Sequence, residues 1–255
     1  MSASLVWHLT KQDLLDRYAG SMLGGLWTFI QPVLQMLVFI LVFSQIMQAR
    51  LPEATGTHSY SIYLIAGLLG WIAFASTLLR TTTMFLDQAG IIQKIRVDLT
   101  VFPIAILVSD GIIYAISLGF FVAFLLLVGH PVTPALGWVL VAFAVQQAFA
   151  ASLGLVLGTL GVFYRDIREA VGVVLQFWFW LTPIVYVVTI LPEGMRAWLW
   201  LNPMYPVVDA YHQAILYGEV ARVGALLLLL LLAFLLFALG RWMLRRLESD
   251  IRDLA

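Results

Sequence analysis

The sequence contains no cysteine, which excludes disulfide stapling and thiolate metal sites. Charge is also scarce: 11% of its 255 residues are Asp, Glu, Lys or Arg, where a soluble domain carries about a quarter. Its 14 basic and 14 acidic side chains cancel, so no net field draws the chain toward nucleic acid. Lysine occurs at Lys11 and Lys94 alone, and neither follows a glycine-rich turn. A G-x-x-x-x-G-K-[ST] phosphate loop is therefore missing, and nucleotide binding of that kind is excluded. The histidines, His8, His58, His130 and His212, lack the spacing of a metal cluster. His212 reads as a solvated interfacial histidine. No paired acids of the sort a membrane-embedded glycan transferase would use fall within the apolar segments.

What is present is apolar. Hydrophobic residues make up 62% of the chain, so a bilayer is the solvent for most of it. A span needs about 20 mostly apolar residues, and six segments qualify: 27–47, 62–86, 101–128, 135–162, 170–190 and 223–240. The opening residues are no secretory signal, because Lys11, Asp13, Asp16 and Arg17 fall where its apolar core would lie. With the N-terminus inside, Lys11, Arg17, Arg80, Lys94, Arg96, Arg165, Arg168, Arg241, Arg245, Arg246 and Arg252 are cytoplasmic, against Arg50, Arg196 and Arg222 outside. That asymmetry orients the chain, and six spans return the C-terminus to the inside.

Two stretches do not span. Residues 5–22 alternate Trp7, Leu14, Leu15, Tyr18 and Met22 with charges at helical spacing, which predicts a helix lying in the membrane interface. The segment 191–216 is broken by Pro192, Asn202-Pro203 and Pro206. Its pieces, 194–201 and 207–216, are too short to cross and predict two external re-entrant helices, tolerable where protein or water covers their backbone.

Polar features inside the apolar segments are few. Gln31, Gln35, Gln45 and Thr28 lie within an arc of roughly 100° around the first span, with Phe39 on the edge. Amides facing lipid would be costly, so this stripe faces protein or water. Hydrogen bonding to neighbouring helices and a hydrated conduit both satisfy it. The fifth span carries QFWFWLTPIVY, 176–186, in which Phe177 to Trp180 point in all directions. Such aromatics with Thr182 and Tyr186 could stack pyranose rings, or could simply pack. Asp110 lies about two turns into the third span, where an ionisable group is functional by default. With only Arg80 at comparable depth, interhelical hydrogen bonding is the simpler role and a proton relay is disfavoured. Gly154, Gly158 and Gly161 allow close helix approach, within the chain or across a dimer seam. The connections 87–100 and 163–170 are short, charged and expected to be helical; a solvated loop accounts for each, and so does a surface that docks a soluble partner.

Four blocks now stand in order: RYAGSMLGGLWTFIQPVLQMLVFILVFSQI at 17–46, IIQKIRVDLTVFP at 91–103, GVFYRDIREAVGVVLQFWFWLTPIVY at 161–186 and LNPMYPVVDAYHQAIL at 201–216. Together they make the chain resemble the permease subunit of type-2 ABC exporters of O-antigen, teichoic acid and related polysaccharides, over nearly its whole length. The resemblance implies an all-α, six-span membrane protein forming one transmembrane domain over 1–255. Trp7, Arg17 and Tyr18 would belong to the interface helix, and Gly20 with Gly24-Gly25 would bend the chain upright.

It implies further a homodimer in the bacterial inner membrane, standing on two copies of a soluble ATPase that binds ATP and Mg, with no cofactor or catalytic residue on this chain. Gln31, Gln35, Phe39, Gln45, Phe177, Trp178, Thr182 and Tyr186 would line the path of a lipid-linked polysaccharide. Asp87, Gln88, Gln93, Lys94, Arg96, Arg165 and Asp166 would contact the ATPase, the segment 87–99 as its coupling helix. Trp198, Asn202, Pro203, Tyr205 and Tyr211 would form the outer gate. Two rivals are an exporter of drugs or lipids, with a more uniformly apolar path, and a glycan-modifying enzyme, for which Asp110 would be the candidate acid. A mere membrane anchor would leave the polar stripe and the broken external helices unexplained.

Overall fold

The computed structural model describes residues 3–17, 21–42, 58–94 and 97–254. Tyr18, Gly20, Gln45 and Arg96 lie outside the described residues, as do the side chains of Gln31 and Gln35. The described residues are helical and turn structure with no strand. Helix α1 covers Ala3–Asp16 and α2 Trp27–Phe39; α3 is Ser59–Asp87, and α4 is a single turn, Ala89–Ile92. Then come α5 (Val101–Leu127), α6 (Gly137–Gly161), α7 (Ile167–Leu181), α8 (Glu193–Arg196), α9 (Tyr205–His212) and α10 (Val223–Leu254).

Among the described residues, four helices are long and apolar enough to cross a membrane: Ser59–Asp87, Val101–Leu127, Pro134–Gly161 and Val223–Arg252. These carry four of the six expected spans. The first expected span is described as α2 and a following turn to residue 42, its remainder lying outside the described residues. The fifth differs from expectation. Instead of running to residue 190, α7 stops at Leu181 after 15 residues, about 22 Å at 1.5 Å per residue, less than the roughly 30 Å of a bilayer core. Pro183 is the cause. It disfavours the α conformation at the residue before it, and Thr182 is extended at φ −103°, ψ 132°.

Helix α3 is apolar on most sides and largely buried, which makes it the centre of the bundle. Its neighbour α6 approaches so closely that a Cβ on Gly154 would lie 1.7 Å from Thr81 Oγ1, and one on Gly158 would lie 2.5 Å from the Thr81 carbonyl oxygen. The small-residue face of α6 is therefore a seam within the chain. The apolar half of α10 covers α6 with one stripe, Leu226, Leu229 and Ala233, and exposes Leu227, Leu228, Leu231 and Leu235.

At the start of the chain, α1 lies along α5, with Thr10 buried and its hydroxyl donating to the Ala105 carbonyl at 3.4 Å. The bend into α2 uses Gly24 at φ +48°, a left-handed conformation that glycine adopts without steric cost. Trp27 then ties back through its indole N–H to Ser21 Oγ at 2.9 Å. A second, smaller apolar cluster gathers Met84, Phe85, Ile92, Leu99, Phe102, Leu244 and Ile251 at the end of the bundle where α3, α5 and α10 meet the connections.

Candidate translocation path and coupling surface

The break in α7 defines one end of the site. Beyond Leu181 the backbone of 183–186 has lost its helical hydrogen bonds, and tyrosines of α3 replace them. Tyr63 donates its hydroxyl to the Pro183 and Tyr186 carbonyls at 3.0 and 2.8 Å, and Tyr60 donates to the Val185 carbonyl. Asn202 clasps the same break from the far side. Its Oδ1 accepts the Trp178 indole N–H at 2.7 Å and the Met204 backbone N–H at 3.0 Å, while its Nδ2 donates to Thr182 Oγ1 at 2.9 Å. Irregular backbone inside an apolar bundle is thereby satisfied, as it must be where no water reaches.

The four-aromatic run divides across α7. Trp178 and Phe179 turn inward: Trp178 meets Phe74 edge-on at 5.3 Å and Trp71 at 6.2 Å, and Phe179 meets Trp71 at 5.7 Å. Phe177 and Trp180 turn outward, 68% and 60% exposed, beside exposed Val173, Val174 and Leu181. Of the other residues expected on a path, Thr182 is buried, Tyr186 is half-buried, and Phe39 is half-buried against the main core. Both packing and an accessible aromatic face are thus present, on opposite sides of one helix.

The segments expected to be external form helices at 193–201 and 205–217, the second ending in a π-type turn before Gly218 at φ +66°. Trp198 is exposed, Asn202 and Pro203 are half-buried, and Tyr205 is buried with Trp200 edge-on at 4.9 Å. Tyr211 is fully buried, its hydroxyl 2.9 Å from that of Tyr114. Glycines make room for this layer. A Cβ on Gly67 would come within 3.1 Å of His212 Nε2, and one on Gly70 within 3.2 Å of the Tyr211 ring. His212 is accordingly not solvated, contrary to the expectation from sequence. It stacks on Tyr63 at 3.8 Å, with Nε2 3.0 Å from the Tyr63 carbonyl oxygen. Burial pushes its imidazole down to about 3, against the carbonyl hydrogen bond, which raises it. The ring is therefore neutral near pH 7, and Nε2–H is the donor to Tyr63.

A second polar assembly lies toward the other end of the bundle and joins three elements. Asp110 of α5 accepts from Arg80 Nη1 and Thr77 Oγ1 of α3, each at 2.7 Å, and from Arg17 just after α1. Asp13 of α1 closes the ring, accepting from Arg80 and Ser109 and lying 3.4 Å from Arg17 Nε. The Asp110 side chain is 3% exposed, and those of Arg17, Arg80 and Asp13 are 21%, 24% and 25% exposed. Two carboxylates face two guanidiniums, so the assembly is neutral. Asp110 is a structural acceptor here, ringed by donors, and no free acid.

The residues expected to meet an ATPase lie near that end. Asp87, Gln93, Lys94, Arg165 and Asp166 are exposed and Gln88 is half-buried. The expected coupling helix over 87–99 is shorter than foreseen, one turn at Ala89–Ile92. Its helix stops because Ile92 turns into the second apolar cluster, and because Asp98 is already committed to starting α5, accepting from the Thr100 hydroxyl at 2.7 Å and backbone N–H at 3.0 Å. The 163–170 connection is a turn leading directly into α7.

Comparison with known proteins decides the family. Residues 4–216 match the sequence model of the ABC-2 type transporter family. Among similar proteins, the O-antigen export system permease protein RfbA of Myxococcus xanthus is 32% identical over 214 residues, covering 82% of this chain and 78% of that one. A protein of the same name from Klebsiella pneumoniae is 31% identical over 189 residues, 72% of this chain and 70% of its own. The chain belongs to the ABC-2 type transporter family. It is a multi-pass membrane protein by its apolar helices and by that membership.

Of the elements of this ABC-2 transporter chain, the sequence did not reveal Asp13, Tyr60, Tyr63 or Gln146, whose Nε2 donates to the Gly70 carbonyl at 3.1 Å. Asp13 carried a signal, being spaced four residues from Arg17 on one helix face. Arg80 and Asp110, charges of opposite sign on consecutive apolar segments, also called for one another. The tyrosines gave no signal, because a hydroxyl that serves a carbonyl 120 residues away leaves no local pattern.

Proposed function

We propose that this chain is the transmembrane permease of an ATP-driven exporter that carries a lipid-linked, O-antigen-like polysaccharide from the cytoplasm across the bacterial inner membrane. The observation that carries the proposal is the likeness, over 72% to 82% of the chain, to proteins named O-antigen export permeases. The chain works as a homodimer, one transmembrane domain of six spans per copy with both termini cytoplasmic, above two copies of a soluble ATPase. ATP and Mg belong to that partner and no cofactor to this chain. The exposed apolar faces of α2 (Leu34, Leu37, Val38) and α7 (Val173, Phe177, Trp180) support a seam and path between two copies, because both faces lack a partner within the described residues of one copy.

In this reading the path runs past Gln31, Gln35, Phe39, Gln45 and the accessible aromatics of α7. The layer 193–217 closes it outside, and 87–99 with 163–170 receive the ATPase. Binding of ATP draws the two ATPases together, and the transmembrane halves part. The ring of donors around Asp110 speaks against a glycan-modifying enzyme, which would need a carboxyl free to give or take a proton.

Mild solubilisation of the tagged chain from its host, followed by mass spectrometry, tests the proposal. An ABC ATPase recovered in equal amount, together with polymer accumulating inside cells that lack the chain, is the expected result. Absence of any ATPase, under conditions that keep other membrane complexes whole, overturns it.

A further inference from the structure

Helix α10 is longer than its task as a span requires. It has 32 residues, about 48 Å at 1.5 Å per residue, against a bilayer core of about 30 Å. The apolar part ends at Gly240, and the last turns carry Arg241, Arg245, Arg246, Glu248, Asp250 and Arg252. A charged extension of this kind normally stands free in water. Here it does not. Leu244 is 4% exposed and Ile251 fully buried, and with Leu247 between them they form a stripe at helical spacing on the second apolar cluster, against Ile92, Leu99 and Phe102.

Arg252 completes the contact. Its Nη1 donates to the Ile92 carbonyl at 3.1 Å and its Nη2 to the Val97 carbonyl at 2.8 Å, while Glu248, one turn back, holds the guanidinium through Nε at 3.1 Å and Nη2 at 2.7 Å. Ile92 ends α4, so its carbonyl is one of those a helix terminus leaves without an internal partner. Arg241 engages the far side of the same connection, 3.4 Å from Thr100 Oγ1 and 4.0 Å from Asp98. A four-residue helix does not persist alone. The turn at 89–92 follows α3 after Gln88, and α10 with the apolar cluster holds its far end.

We propose that the end of α10, from Arg241 onward, is the brace of the ATPase-facing connection, with Arg252 the positioning residue that fixes its turn. This extension lies beyond the segment that matches the family, which ends at residue 216. The role in coupling rests on the reading of 87–99 as the ATPase contact; the bracing itself does not. Arginine suits the task because its planar fork reaches two carbonyls and a carboxylate together, which the single ammonium of lysine does not.

The test uses the complex of permease and ATPase in lipid nanodiscs. Amide hydrogen exchange over 88–99 and ATP hydrolysed per polymer exported are measured in wild type, Arg252→Ala, Arg252→Lys and a chain ending at Arg246. Arg252→Ala should speed exchange in that segment about tenfold and raise ATP consumed per polymer severalfold, with ATPase still bound and Arg252→Lys intermediate. Unchanged exchange in Arg252→Ala overturns the brace, whether or not the shortened chain assembles. Faster exchange with an unchanged ATP-to-polymer ratio upholds the brace and overturns the reading of 87–99 as the coupling contact.

Discussion

Replacing Asp110 by asparagine removes one negative charge and almost no volume from the four-charge assembly. Arg17 and Arg80 then share Asp13 alone, leaving a net positive charge beside a side chain that was 3% exposed. Breaking a buried ion pair from one side costs about 3–5 kcal/mol. The arginines are 21% and 24% exposed and can partly recover water, and the asparagine oxygen still accepts from Thr77, so the expected cost is about 2–3 kcal/mol. For a chain of this size that lowers the unfolding midpoint by roughly 5–10 °C, measured on the purified permease by thermal scanning in detergent. Adding Arg80→Gln restores neutrality, so in the Asp110→Asn background it should cost at least 1 kcal/mol less than it does alone. A midpoint within a degree of wild type for Asp110→Asn, or strict additivity in the double variant, would refute the assembly as a stabilising unit. Export per assembled complex should stay near wild type, which separates a structural acceptor from a catalytic acid.

Other perturbations divide packing from transport. Gly158→Ala places a methyl group 2.5 Å from the Thr81 carbonyl oxygen and should destabilise by about 1–3 kcal/mol through overpacking; Gly172→Ala, with open space around it, should be neutral or slightly stabilising in the same thermal scan. Trp178→Ala removes an indole packed on Phe74 and bonded to Asn202, so it should cost about 3–5 kcal/mol and reduce assembled complex. Phe177→Ala, on the exposed face, should leave assembly intact and shorten the exported chains seen on gels; equal loss of assembly in both variants would sink the division of α7 into two faces. Lys94→Glu, at an exposed position beside the α4 turn, should uncouple ATP hydrolysis from export in a folded permease, and unchanged export would remove Lys94 from the contact.

Much of the arrangement was legible because the bilayer imposes simple rules. Length and apolarity located the four long apolar helices, and Pro192 with Asn202-Pro203 separated the helices of 193–217. Where sequence reading failed, long-range partners had overridden local pattern. The apolar run 170–190 looked continuous, yet Pro183 ends the helix and Tyr60 and Tyr63 make the break affordable in hydrogen bonds. His212 looked solvated because its segment is rich in prolines and polar groups, but Gly67 opens a notch in α3 that admits the ring. The stripe Leu244, Leu247 and Ile251 is present in the sequence, but the residues it packs against, Ile92, Leu99 and Phe102, are too far away along the chain to be read as its target.

These features converge on α3. Near its start, Tyr60 and Tyr63 hold the broken end of α7, and through Tyr63 it meets His212 of α9. Near its end, Thr77 and Arg80 enter the charge assembly that ties down α1 and α5, and Asp87 leads into the braced turn. Between them run about 40 Å of continuous helix, at 1.5 Å per residue, packed closely on α6 at Gly154 and Gly158. On the proposed reading of 87–99 as the ATPase contact, that turn and the 193–217 layer lie at the two ends of one continuous helix. Tyr63 joins that helix directly to the carbonyls of Pro183 and Tyr186 and to the ring of His212, so these groups share one support.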